Sequence, residues 1–382
     1  MRQKIRIFAA DMKAKTISAA FAVVLCLAAS ALAPARAAAA REGGVSAIEN
    51  LPDSILVDGQ MFHVQGIALD RAASCMYMSF TNDLYKVDFQ GNVVASVVNL
   101  HGHLGAMTFD PEERVLYASL EYKDDEIGAG INSKLNLGQA DPAKTVFYVC
   151  KIYVDRITSL GMAQEGIIEL IEMPEVASDY ATHIYGCSGI DGVAIAPAIG
   201  TKPGRKGGRY LYVAYGIYED AKRSDNDSQI LLCYKLGDFS KPLHKYFVYT
   251  GNTRYGVQNL AYDEYTGKIF MAVYKGPKSW YPNYDLYALD VDQKPFKAVV
   301  HGVPGSKKVE QLRISPDGLL HEQSGITGWY FKHGSTGFCP IGDGYFYISE
   351  KLRNKAAKTN GCNARLYRWT GVPENPFEKV CR

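Results

Sequence analysis

The chain lacks every short signature that would announce a reaction. There is no GxSxG nucleophile elbow, no phosphate-binding loop, no HExxH and no dinucleotide fingerprint. No CxxC spacing occurs, which removes zinc knuckles and dithiol redox motifs. Charge of one sign is missing too. With 42 Lys and Arg against 40 Asp and Glu, the formal net charge is +2, so no broad basic field for nucleic acid is implied. The one long apolar run, residues 17–33, is too short and too weakly apolar for a membrane span. After it, helix-favouring stretches of Ala, Glu, Leu and Lys are scarce.

The start of the chain reads as a targeting segment. Lys13 and Lys15 precede the apolar run, and Ala35, Arg36 and Ala37 place small residues where a signal peptidase needs them. Met12 could head this signal by itself. Cys26 is a poor lipoprotein site, because Leu25 stands where a small residue should precede it. The expectation is a leader over 1–37, a flexible stretch over 38–50, and one domain over 51–382. The product is expected to be periplasmic or secreted, and not membrane-embedded once the leader is cleaved. Without Cys26 the cysteine count is odd. The first disulfide to expect is Cys362 with Cys381, while Cys75, Cys150, Cys233 and Cys339 lie in apolar strands as small buried hydrophobes.

What is abundant points to strands and turns. Aromatics make up 12%, with 26 Tyr, and there are 36 Gly, a profile suited to half-buried pleated surfaces joined by tight turns. An internal repeat gives this an architecture. HVQGIALD at 63–70 recurs as HLGAMTFD at 103–110, then in degraded form at 189–196, 256–263 and 334–341. Each copy leads into a second strand, at 75–80, 115–120, 210–215, 268–273 and 345–349. Third strands follow at 84–88, 146–153, 230–236, 286–290 and 365–370, and fourth strands at 93–98, 167–171, 246–249 and 296–300. The last copy has no fourth strand of its own, and residues 54–57 stand ready to supply it. The pattern predicts an all-β fold, a β-propeller of about five four-stranded blades, its ring closed by an N-terminal strand. A sixth blade would fit only within 309–331. A pair of β-sandwiches would use similar strands but leaves the matched first-strand copies unexplained.

In such a ring the first strands line the axis, and their starts share one face with the loops between second and third strands. That gathers His63, Gln65, His103, Asp191, Gln258, Asn259 and His333 with Glu121, Tyr215, Tyr274, Lys275 and Glu350. Trp280 and Tyr281 follow on the blade-four loop, as rim packing or a platform for a sugar face. The rim loops are unequal, with long insertions after Glu121, at 219–227, at 275–282 and at 350–362, and long loops on a rigid scaffold are where function gathers. The matching His63 and His103 are equally suited to tying blades together and to acting as bases or ligands. Gln65, Asp191, Gln258 and Asn259 could likewise serve only to satisfy buried backbone groups. The run 225–227 reads as a solvated turn before it reads as a calcium site.

Those repeats resemble the exported bacterial propellers of the broad gluconolactonase, paraoxonase and NHL-repeat kind, over most of the mature chain and at the level of fold. The resemblance implies a central divalent cation, usually calcium, with Asp191 and Asn259 (and Gln65 beside them) where its ligands would lie. The chain departs from those enzymes in blade number and matches none of their motifs closely. Two functions are carried forward. One is a hydrolase or lyase acting on a small polar molecule or glycan, with His63 or His103 as base and Glu121 or Glu350 as acid. In it Gln65, Gln258, Tyr215, Tyr274, Lys275, Trp280 and His333 bind substrate. The other is a non-catalytic module that binds glycan or protein through its aromatic, charged rim.

Overall fold

The computed structural model describes residues 47–123, 125–135 and 145–382. The expected leader, most of the stretch at 38–50 and part of the insertion after Glu121 lie outside the described residues.

Five blades surround the axis. The first strand described, β1 (Ser54–Gln60), precedes blade one, which is β2 (Gly66–Asp70), β3 (Cys75–Ser79), β4 (Leu84–Asp88) and β5 (Val93–Val97) in antiparallel order. Blade two is β6 (His103–Asp110), β7 (Val115–Tyr122), β8 (Val146–Tyr153) and β9 (Ile168–Glu172). Helix α1 (Glu126–Leu135) is inserted between β7 and β8, and α2 (Pro174–Thr182) follows β9. Blade three is β10 (Cys187–Ala196), β11 (Tyr210–Ile217), β12 (Ser228–Lys235) and β13 (His244–Tyr249). Blade four has β14 (Thr253–Asp263), β15 (Lys268–Lys275) and β16 (Leu286–Asp290).

The segment after β16 differs from expectation. Residues 296–300 were predicted as the outer strand of blade four. Instead β17 (Phe296–Ala298) pairs with β18 (Val309–Leu312), and β18 runs parallel to β13, so both extend blade three to six strands. The outer edge of blade four is covered by the short hairpin of β19 (Leu319–His321) and β20 (Ile326–Gly328). Trp329, just after it, exchanges backbone hydrogen bonds with Leu286. No sixth blade forms, because the strands within 309–331 are only three or four residues long and serve the edges of blades three and four.

Blade five is β21 (Phe338–Gly342), β22 (Tyr345–Asn354) and β23 (Thr359–Val372). The predicted closure is present: β1 pairs antiparallel with β23, Ser54 opposite Arg365 and Val57 opposite Cys362. The last strand, β24 (Asn375–Lys379), pairs with the other half of β23, Trp369 opposite Phe377. The two flanking strands therefore share one edge end to end. The predicted rim loop at 350–362 is no loop, since β22 and β23 continue as a paired hairpin as far as Asn354 and Thr359.

The apolar core is divided in the same way as the ring. Five buried clusters occur, one between each pair of neighbouring blades, including the one where blade five meets blade one. Strands buried on both faces explain the continuous apolar runs, such as the fully buried β2 and β3. Polar contacts repeat the step from blade to blade. Ser79 Oγ donates to the Gly105 carbonyl at 2.7 Å, and Ser119 Oγ to the Asp191 carbonyl at 2.5 Å. At the far mouth of the axis, Arg114 of blade two meets Asp70 of blade one at 3.0 Å, and Arg209 of blade three meets Asp110 of blade two. The cysteines described are all free thiols. The expected Cys362–Cys381 disulfide is absent, because Cys362 is buried against Ser349 while Cys381 is exposed beside Arg365.

Candidate functional site

The near mouth of the axis holds a pocket of about 300 Å³. Starts of first strands and ends of second strands supply His63, Gln65, His103, Glu121, Lys123, Asp191, Gln258 and Tyr274, and α1 forms one wall with Ile131 and Lys134. Blades one to four thus contribute to one concavity, as the ring geometry predicts.

Its centre is a buried charged network. Glu121 closes β7 opposite His103, whose Nδ1 lies 3.4 Å from Glu121 Oε1. Lys123 Nζ lies 2.6 Å from the same oxygen and donates to the Ser188 carbonyl at 2.8 Å. The Ile190 backbone N–H donates to Glu121 Oε2 at 3.2 Å. The route to that N–H exists because residue 189 is glycine. Its φ is +132°, and a Cβ there would stand 2.0 Å from Glu121 Oε2. Gly128 has a similar duty, since a Cβ on it would meet the Lys123 carbonyl at 1.8 Å and push α1 off the network.

These groups hold unlike charge states. Burial alone would raise the Glu121 carboxyl, but the Lys123 ammonium and the His103 hydrogen bond outweigh it and hold Glu121 below its usual range. Lys123 is raised despite burial, because Glu121, Asp125 and Asp191 surround it. Asp191 goes the other way. Burial, then the Glu121 charge, push its carboxyl well above the ordinary value, although Lys123 and a 3.0 Å hydrogen bond donated by Gln258 Nε2 oppose this. His63 is pushed down to about 3, first by burial and then by the charges of Lys351, His103 and Lys134. Its Nε2 lies 3.1 Å from Gln65 Nε2, so the ring nitrogen is the acceptor and the amide the donor. At neutral pH the pocket therefore presents a neutral imidazole and an ionised Glu121–Lys123 pair, beside an Asp191 carboxyl biased towards its protonated form.

A stability consequence follows for His63. In the unfolded chain the ring takes up a proton as pH falls through 6.5, while in the folded protein it resists down to about 3. Stability should therefore decline on the acid side of pH 6.5, at up to about 1.4 kcal/mol per pH unit from this group. Urea unfolding across that range checks it: His63→Gln should flatten the acid limb, and an unchanged limb would remove His63 from the account.

Not every expected residue reaches the pocket. Tyr215 was placed at the rim and is instead fully buried in the core between blades two and three, where its hydroxyl donates to Asp179 Oδ2 at 2.7 Å. Burial drives the Tyr215 hydroxyl far above its usual range. Trp280 is exposed away from the pocket, because its loop is pulled onto blade three by a buried pair, Lys278 Nζ to Asp227 Oδ1 at 2.7 Å. Tyr281 is held by that same Asp227, so Asn226 and Asp227 form a buried anchor where a solvated turn was expected, with Asp225 half-buried beside Arg223. Lys275 ends β15 exposed and outside the lining.

Glu350 and His333 form a separate group on blade five. Glu350 accepts a 2.6 Å hydrogen bond from the Tyr367 hydroxyl and pairs with Lys379 at 2.8 Å, which outweighs its burial and keeps it below the usual range. The His333 ring lies 6.3 Å from that of Tyr367, tilted by 41°, and burial, only partly offset by Glu350, lowers it. Asn259 sits on the axis but outside the pocket, donating to the carbonyls of Gln65 at 3.0 Å and Ser335 at 2.9 Å, which ties blades one, four and five together.

Asp191 lines the pocket without Asn259, and among the described residues no three His, Cys, Asp or Glu side chains are arranged to hold a metal ion. The positive charge beside the carboxylates comes from Lys123. Sequence reasoning passed over that lysine, because it lies in a charged run that looks solvated. It passed over α1 as well, whose EIGAGINSKL carries two glycines and little helical signal.

No family model matches the chain, and no curated protein matches it. Among solved structures it is similar to a luciferin-regenerating enzyme, with a TM-score of 0.39 and 11% identity over 86% of this chain and 80% of that one. It is also similar to Kuenenia stuttgartiensis hydrazine synthase, with a TM-score of 0.31 and 14% identity over 75% and 73% of the two chains. The five-bladed ring rests on this chain's own strand pairing and its five inter-blade cores.

Proposed function

We propose that this propeller is an exported hydrolase or lyase that acts on a small polar molecule or glycan at the near mouth of its axis. One observation carries the reading: His63, His103, Glu121, Lys123 and Asp191, from three blades, line a single pocket. Groups whose environments drive their charge states apart are what acid–base chemistry at neutral pH requires. His63, uncharged and, among the described residues, hydrogen-bonded through Gln65, is the base. Asp191, whose environment favours the protonated form, is the acid in place of Glu121 or Glu350. Ionised Glu121 orients His103 and is itself balanced by Lys123, while Gln65, Gln258 and Tyr274 are placed to hold substrate hydroxyls. The Lys123 ammonium takes the electrostatic part expected of calcium, so no step is routed through a metal.

Turnover tests this directly. A panel of lactones, glycosides and oligouronates is assayed by product mass, and the active substrate is then retested on His63→Ala, His103→Ala and the double variant. The double variant should lose about 10²–10⁴-fold in rate with little change in melting temperature. Unchanged turnover would refute the assignment. Tight binding of a glycan with no product over long incubation would favour the non-catalytic module.

A further inference from the structure

The pocket does not end at His63. A groove of about 760 Å³ continues outward from it, and the two share Phe62, His63 and Lys134. Five of the ten residues lining this groove are cations and none is acidic: Lys134 on α1, Lys351 and Arg353 on β22, and Lys355 and Lys358 in the hairpin turn. All five are exposed.

What sets these five apart is that they line one groove without an acidic residue among them. Several lysines elsewhere are neutralised, as with Lys151 by Glu113, Lys245 by Glu175 and Lys268 by Asp290. Among the described residues none of these five cations forms an ion pair, and the Lys134 ammonium instead lies 5.1 Å from the centre of the Phe62 ring. The chain has almost equal numbers of both signs, so the cluster is not the by-product of a basic composition. Crowded like charges cost stability, which an incoming anion would return.

The arrangement also limits what that anion is. Lys351 and Arg353 stand two residues apart on one face of a strand, so they lie about 6.6 Å apart along it. Lys355 and Lys358 follow in the turn of the same hairpin, and Lys134 lines the groove from α1. A row of separated cations suits an extended chain carrying charge at intervals, whereas a single phosphate calls for donors that converge. Single-stranded nucleic acid calls for aromatic platforms as well, and here the one ring, Phe62, is already faced by Lys134.

We infer that the groove holds the anionic arm of the substrate, a carboxylate-bearing oligosaccharide whose reacting end enters the His63–Asp191 pocket. This rests on the functional reading above for the pocket, but its own evidence is the groove.

Calorimetric titration of the full chain with tetragalacturonate tests it, with tripolyphosphate and a short oligothymidylate as competing polyanions. Tetragalacturonate should bind best and weaken as salt is raised from about 50 mM to about 500 mM. The double variant Lys351→Glu/Arg353→Glu should bind it about tenfold or more weakly, with an unchanged melting temperature. No binding of tetragalacturonate by the parent protein, equal binding by the double variant, or preference for tripolyphosphate or the oligonucleotide would each overturn the inference. Failure of the pocket chemistry would look different: His63→Ala/His103→Ala would retain turnover while the groove still bound the oligouronate.

Discussion

Replacing Lys123 by methionine should destabilise the protein by about 3–5 kcal/mol, the cost of leaving a buried partner charge uncompensated. Lys123 and Glu121 are both almost wholly removed from solvent, at 4% and 3% exposure, and lie 2.6 Å apart. Methionine keeps the volume of the lysine stem but leaves the Glu121 carboxylate with only the Ile190 N–H and a long contact to His103. The sign of the pH dependence follows. Without the ammonium, burial prevails and the Glu121 carboxyl rises, so the folded protein keeps a proton that the unfolded chain has released. The variant should therefore lose stability further as pH climbs above the ordinary Glu value of 4.5. Urea unfolding at several pH values measures both effects. Adding Glu121→Gln should return much of the loss, because an amide needs no counter-charge. A single variant within about 1 kcal/mol of the parent would mean that the pair is not buried as described.

Asp191→Asn should do the opposite to stability while abolishing activity. The Asp191 carboxyl is raised by burial and by Glu121, so it keeps its proton to higher pH than an ordinary carboxyl. For a carboxyl with a raised folded value, stability is highest below the unfolded value of 3.8 and falls as pH climbs towards the folded one. Asparagine has almost the same shape as the protonated acid and still accepts from Gln258 Nε2, but it carries no such penalty. Its stability should equal the parent's at about pH 4 and match or exceed it at about pH 8. Turnover should nevertheless fall about 10²–10⁴-fold, because an amide cannot give up the proton. Stability lost at high pH would show Asp191 to be an ordinary ionised carboxylate. Activity kept would move the acid elsewhere.

The ring was legible in the sequence for a physical reason. Every first strand must approach the axis closely and then bury both faces, so the small-residue start and apolar run recur whether or not the side chains are otherwise free to drift. HVQGIALD and HLGAMTFD preserve this most fully. The pairing of residues 54–57 with the last blade was legible because a blade short of one strand leaves an open edge. Blade four escaped this logic, since its outer edge is covered by Trp329 and a short hairpin, and a single bridge leaves no period to read. Within the site, His63, Gln65, His103, Glu121, Asp191, Gln258 and Tyr274 were reachable from strand position alone. Tyr215 and Trp280 were misplaced because strand position does not say which face of a second strand points to a neighbouring blade, nor where a loop is tethered. Lys123 was missed because a lysine in a charged run has the same appearance whether it is solvated or, as here, enclosed by three carboxylates.

The sharing of β23 by the first and last strands sets the order in which the molecule can be completed. Ser54 finds Arg365 only after nearly the whole chain is available. Closing a loop of about 300 residues costs about 5 kcal/mol of chain entropy before any contact returns it. Blades one to four can each form from neighbouring sequence, yet β1 must wait, its edge unsatisfied, until the final hairpin arrives. During synthesis β1 therefore stays an unpaired, adhesive strand for longer than the strands of blades one to four. That interval is when a chaperone would matter most, and when a neighbouring copy's β23 could be taken by mistake.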